Sequence, residues 1–120
     1  MMAEDNRERM RLPVEYRVFV EVVSAQPGSD GEADIAVCQT LDVSATGLKV
    51  ALDRQLTTGA ILQIGVEPPG AADTFYLTGE VRWCRHTRSD DVQWYAGFEL
   101  LNAADSDIER WERLVSSLED

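Results

Sequence analysis

Apolar positions along this chain recur at two different periods, and the change from one to the other falls near Asn102. Upstream of it, short runs read as strands. Tyr16 to Val23 is dense in β-branched and aromatic residues (Tyr16, Val18, Phe19, Val20, Val22), the composition of a buried strand. Ile35, Val37, Gln39 and Leu41 alternate with Ala36, Cys38 and Thr40 in a second strand, and Leu48, Val50 and Leu52 alternate with Lys49, Ala51 and Asp53 in a third. Ile61 to Val66, Phe75 to Cys84 and Val92 to Leu100 supply three more. Pro27-Gly28-Ser29-Asp30-Gly31, Thr58-Gly59 and Pro68-Pro69-Gly70 carry turn chemistry, and His86 to Asp91 is a polar connection. These connections are too short for crossover helices, so the six strands predict an antiparallel β-barrel rather than a parallel sheet. Downstream of Asn102, Ile108, Trp111, Leu114, Val115 and Leu118 share one helical face, with Glu109, Arg110, Glu112 and Arg113 mostly off it. Ser106 with Glu109 fits a capping box, and Asp105 and Asp107 suit the positive end of the helix dipole. The helix is expected to pack on the barrel with Trp111 in the core.

Residues 1–12 stand apart: they are polar and charged with no apolar periodicity, which reads as a flexible arm. The chain therefore divides into an arm (1–12), a barrel (13–103) and a C-terminal helix (104–120) of one domain, as 120 residues with 44% apolar content allow. Charge narrows the function classes. A formal net charge of −11 argues against a general DNA or RNA binder, which needs a broad basic face. Local basic residues stand out against that field: Arg7, Arg9, Arg11 and Arg17 near the start, then Arg82, Arg85 and Arg88 around the fifth strand. Arg9 and Arg17 read first as surface partners of Glu4, Asp5, Glu8 and Glu15. No stretch is apolar enough to span a membrane and the N-terminus lacks the apolar core of a signal peptide, so a cytoplasmic protein is expected. Cys38 and Cys84 lack C-x-x-C spacing and read as reduced, buried thiols.

The candidate chemistry lies in two short segments. Arg7-Glu8-Arg9-Met10-Arg11 sets two guanidinium groups four residues apart, suited to phosphate oxygens and to stacking on flat bases. Asp42-Val43-Ser44-Ala45-Thr46-Gly47 sets a carboxylate, a hydroxyl and a glycine at D-x-S-x-x-G spacing in what the alternation predicts to be a strand-to-strand connection. Taken alone, that segment also fits a tight turn in which Asp42 or Ser44 caps its own backbone and Gly47 supplies φ > 0. In this order, and with Gly79-Glu80-Val81-Arg82-Trp83 and Tyr95-Ala96-Gly97-Phe98-Glu99-Leu100 downstream, the pattern resembles the PilZ family of bacterial cyclic di-GMP receptors, over nearly the whole chain. One departure is Asn6, where many members double the first arginine; it bears on ligand stoichiometry. The resemblance implies a PilZ-like barrel that binds cyclic di-GMP at one rim, with Arg7 and Arg11 on phosphate and guanine, Asp42 and Ser44 hydrogen-bonded to the nucleotide, and Gly47 permitting the turn. Arg9 and Trp83 are possible further pocket residues, although the barrel core is the preferred place for Trp83.

Catalysis is not indicated. His86 is the sole histidine and lies in a polar connection, Ser44 has neither a neighbouring base nor a G-x-S-x-G elbow, and the acidic pairs lack the ligand series of a calcium loop. The expected protein has no catalytic residue, metal or cofactor, takes cyclic di-GMP as its ligand, and passes the signal to an unidentified protein partner through ordering of the arm. The rival reading is an adaptor of the same fold that binds nucleotide weakly or not at all and works through protein contacts.

Overall fold

A computed structural model describes residues 12–23, 33–70, 72–88 and 94–119. Arg7, Arg9 and Arg11 lie outside the described residues. The predicted strands form as β1 (Arg17–Val23), β2 (Ala33–Val43), β3 (Gly47–Leu52), β4 (Ile61–Glu67), β5 (Phe75–His86) and β6 (Trp94–Leu100), followed by one helix, α1 (Ile108–Glu119). Every pairing is antiparallel, and the order β1-β2-β3-β6-β5-β4 closes on itself because β1 also pairs with β4. Closure pairs each of the described strands on both sides. β5 runs two residues past the expected end at Cys84, since Arg85 and His86 find partners in Tyr95 and Trp94 and the His86 and Trp94 rings meet edge to face at 4.9 Å.

The interior is filled by one side of each strand: Val18 and Val20, Leu48 and Val50, Ile64 and Val66, Leu77 and Val81, Ala96 and Phe98. In β2 the small residues face in. Ala36, Cys38 and Thr40 are buried while Ile35 and Val37 stand outside. Cys38 is a free thiol whose burial, with a smaller push from Asp53, raises its pKa to about 12. A raised acid pKa means that the folded state holds its proton above the unfolded value, so the contribution of this thiol to stability is intact below about pH 9 and is lost as pH climbs toward 12. We expect Cys38 to resist alkylation by iodoacetamide at pH 8 in the native protein and to react once urea unfolds it; rapid native labelling at Cys38 would contradict its placement. Cys84 is half-buried, not fully buried as expected, and its sulfur accepts a 3.4 Å hydrogen bond from the Leu56 amide.

The helix seals one barrel end. Trp111 is fully buried, meets Tyr16 and Phe75 edge to face at 6.3 and 6.0 Å, and donates its indole N–H to the Ser44 carbonyl at 3.0 Å. The expected capping box does not form. Ser106 instead donates its hydroxyl to the Ala103 carbonyl at 2.7 Å, and Asp107, just before α1, turns its carboxylate to the Tyr76 amide at 2.8 Å. Asp107 stays at the helix start, where its carbonyl accepts from the Trp111 amide at 2.9 Å, and its carboxylate adds a long-range strand contact that a local reading does not give.

Candidate functional site

Two β-bulges build the site. Along β2, Thr40 faces inward opposite Val50; the register then shifts, so that Asp42 pairs with Lys49 and Val43 with Leu48. Leu41 is the extra residue. Because side chains alternate with a period of two, one extra residue reverses the phase, and Asp42 joins Lys49 on the outer wall while Val43 returns to the core. The same device recurs on β5, where Val81 pairs with Phe98, Arg82 is the extra residue and Trp83 pairs with Gly97. Trp83 is therefore half-buried on the outer wall and not in the core, which corrects the sequence expectation. No periodicity argument could place it outside without knowing of the bulge.

Since Lys49 also pairs with Gly97, the two bulges align Asp42, Lys49, Gly97 and Trp83 in one row across β2, β3, β6 and β5. With strands 4.7–4.9 Å apart, the row spans roughly 14 Å. Gly97 is what lets the indole lie down on it. A Cβ at Gly97 would collide with Trp83 Nε1 and sit 2.5 Å from its Cε2. The Lys49 ammonium stands 5.9 Å from the Trp83 ring centre and 5.5 Å from that of Tyr95, and the Arg85 guanidinium lies 4.9 Å from the Trp83 ring, all within cation–π range. Arg82 is differently committed, holding Glu99 at 2.6 Å and Glu80 at 3.9 Å. In a chain of net charge −11 the row is thus a local island of aromatic faces and cations. Lys49, Arg85, Tyr95 and Gly97 were missed as site residues from sequence; the signal available for Lys49 was its outward phase between Leu48 and Val50.

The turn beside the row is tight. Asp42 and Val43 belong to β2 and Gly47 opens β3, so only Ser44 to Thr46 form the connection, shorter than the alternation predicts. The Ser44 amide donates to the Gly47 carbonyl at 2.9 Å; its hydroxyl donates to the same carbonyl at 3.4 Å and accepts from the Thr46 amide at 3.3 Å. Ser44 is buried, and among the described residues only Gly59 and Gly70 have positive φ. Gly47 therefore does not close the turn through a left-handed backbone; it is a buried strand residue opposite Glu99. Leu12, which follows Arg11, is bridged to Val43 by a pair of backbone hydrogen bonds, Leu12 amide to Val43 carbonyl at 2.8 Å and Val43 amide to Leu12 carbonyl at 2.9 Å. Thr40 extends the attachment by accepting from the Tyr16 amide at 2.8 Å and donating to the Val14 carbonyl at 2.5 Å. Leu12, the residue after Arg11, is thereby held beside Val43, the residue after Asp42. Among the described residues there is no cluster of metal-ligating side chains and no helix long and apolar enough to cross a membrane.

Comparison with known proteins gives this geometry its context: the PilZ domain family model matches residues 5–117. The chain belongs to the PilZ domain family. No curated protein matches it. Among solved structures, the PilZ domain of YcgR from Escherichia coli, determined with c-di-GMP, superposes with a TM-score of 0.64 at 20% identity, covering 94% of this chain and 92% of that one. The PilZ domain of CeSA from a cellulose-synthesizing bacterium gives 0.63 at 20% identity, with 92% and 99% covered. Bacillus subtilis MotI/DgrA, described as an inhibitor of motility, gives 0.64 at 16% identity over 91% of this chain, which spans 49% of that protein's length. At these identities the likeness establishes the PilZ barrel with its C-terminal helix.

Proposed function

We propose that this PilZ domain is a non-catalytic receptor for cyclic di-GMP. The observation that supports it most is the row Asp42, Lys49, Gly97 and Trp83, with the Leu12–Val43 bridge delivering the arginine segment to its Asp42 end. A ligand with two guanines and two phosphodiesters needs flat apolar faces, acceptors for guanine N–H groups and cations for phosphate. The row and the tethered arginines provide each. In this reading Arg7 and Arg11 take the phosphates and stack on guanine, Asp42 accepts from a guanine edge, and Trp83 with Lys49 forms the floor. The Ser44 hydroxyl is buried and bonded within the turn at 3.3 and 3.4 Å, so a nucleotide contact from it requires that turn to open. The YcgR domain of the same fold was determined with c-di-GMP, which agrees.

Isothermal titration with cyclic di-GMP tests the proposal. Micromolar or tighter binding is expected, weakened by at least ~1.5 kcal/mol in Arg7→Ala or Arg11→Ala, the low end for a charge-assisted hydrogen bond. Asp42→Ala is expected to lose affinity at a stability cost on the order of 1 kcal/mol; a large melting shift with affinity intact would instead make Asp42 a turn residue. Absence of binding by the parent chain would leave the adaptor reading in possession. The signal is proposed to be closure of the arginine segment over the ligand, through contacts made only in that state. Trypsin should then cut after Arg7, Arg9 and Arg11 more slowly at saturating ligand, with cleavage elsewhere little changed.

A further inference from the structure

The barrel wall opposite the nucleotide row carries a second row that the receptor reading leaves unused. Val37, Phe19, Gly65 and Tyr76 are successive cross-strand neighbours on β2, β1, β4 and β5. Val37 is 59% exposed, Tyr76 64%, and Ile35 beside them 48%, although smaller Ala36 and Cys38 occupy the interior of the same strand. Large apolar side chains grouped on one outer face add little to barrel stability and mark a contact surface. The missing side chain at Gly65 hollows that face. A Cβ there would touch Thr74 Cγ2 at 3.3 Å, Tyr76 Cε1 at 3.8 Å and Phe19 Cβ at 3.9 Å, so Gly65 is the floor of a groove of about 360 Å³ with Phe19, Ile35 and Tyr76 among its walls. Glu21 and Glu67 line it, and past Glu67 it opens into a polar extension lined by Glu15, Arg17 and Asp73, the last paired with Arg110 at 3.4 Å.

Charge and topology select the occupant. The closed barrel offers no edge for strand addition. A second copy would set acidic rim against acidic rim on chains of −11 each, and nucleic acid or an anionic membrane meets the same repulsion. A basic amphipathic helix fits both features: three turns cover the roughly 14 Å of the row, with apolar anchors at i, i+4, i+7 and i+11 and lysine or arginine facing the carboxylates. We propose that the β2-β1-β4-β5 wall is a docking surface for such a helix from a partner protein. β1 and β4 lie across the barrel from β3 and β6, so the helix and a ligand on the opposite wall are held at once. The surface stands whether or not nucleotide binds.

The test uses the whole chain and a fluorescein-labelled helical peptide of about 14 residues, leucine at the four anchor positions and lysine elsewhere, read by anisotropy. Controls are the same composition scrambled out of amphipathic spacing and the amphipathic peptide with glutamate in place of lysine. The expected result is saturable binding of the basic amphipath alone, at least tenfold weaker in the pair Val37→Ser and Tyr76→Ser and at least threefold weaker in Glu21→Lys, with melting temperature and the cyclic di-GMP titration unmoved. Equal binding of the scrambled peptide, or parent-like binding by the variants, would reduce the effect to diffuse attraction and overturn the proposal. So would a dimer in sedimentation that Val37→Ser and Tyr76→Ser disperse, because the occupant would then be a second copy.

Discussion

Replacing Trp111 with alanine is expected to lower stability by about 3–5 kcal/mol, the range for emptying a fully buried indole site. For a domain of this size, whose total is on the order of 5–15 kcal/mol, that approaches unfolding at ordinary temperature. Two losses combine. The ring leaves edge-to-face contacts with Tyr16 and Phe75 at the barrel end, and the Ser44 carbonyl loses its 3.0 Å donor inside the protein. Trp111→Phe separates them in part, because it keeps an aromatic ring in the socket while removing the donor and the second ring of the indole. Its expected cost is about 1–3 kcal/mol, that of an unsatisfied buried acceptor, seen as a lower urea midpoint at unchanged slope. Since Ser44 belongs to the turn beside the proposed nucleotide row, Trp111→Phe should also weaken cyclic di-GMP several-fold. A Trp111→Phe protein that unfolds at the parent midpoint would show that α1 is held by packing alone.

The six strands, the helix and the burial of Trp111 were legible in the sequence because each rests on a period that tertiary packing respects. What sequence missed has one physical origin for Asp42 and Trp83. A bulge is a pairing event between strands distant in the chain, and the extra residues Leu41 and Arg82 carry no local mark of being extra. Without them, alternation puts Trp83 inward and leaves Lys49 an unremarkable surface residue. The capping box failed because the Ser106 hydroxyl is spent on the Ala103 carbonyl in the turn before α1, and the Asp107 carboxylate serves Tyr76, 31 residues away in the chain. The D-x-S-x-x-G segment was visible as chemistry; its division between β2, a three-residue turn and β3 was not. Arg7, Arg9 and Arg11 lie outside the described residues, so their proposed roles rest on the motif and on the bridge that Leu12 makes to Val43.

Gly97 and Trp83 should behave as one unit in nucleotide binding. Trp83→Ala removes the floor of the proposed site and is expected to weaken cyclic di-GMP by about 1–3 kcal/mol, the worth of one base stacked on an aromatic ring. Gly97→Ala should do nearly as much without touching the tryptophan. Its new methyl group falls on Nε1 and Cε2 of the indole, and β6 cannot back away because Gly97 is paired to Lys49 on one side and Trp83 on the other. The ring must swing off the wall. Gly97 has no positive φ and the collision is on the outer face, so the barrel itself should melt close to the parent temperature. The cycle is then non-additive: in a Trp83→Ala background the clashes of Gly97→Ala with the indole are gone, and it costs little further affinity. Calorimetry on the four proteins measures the coupling, and tryptophan fluorescence reports the displaced ring. Full additivity would mean that Gly97 acts on the ligand through its own backbone, and parent-like affinity in Trp83→Ala would remove the indole from the site.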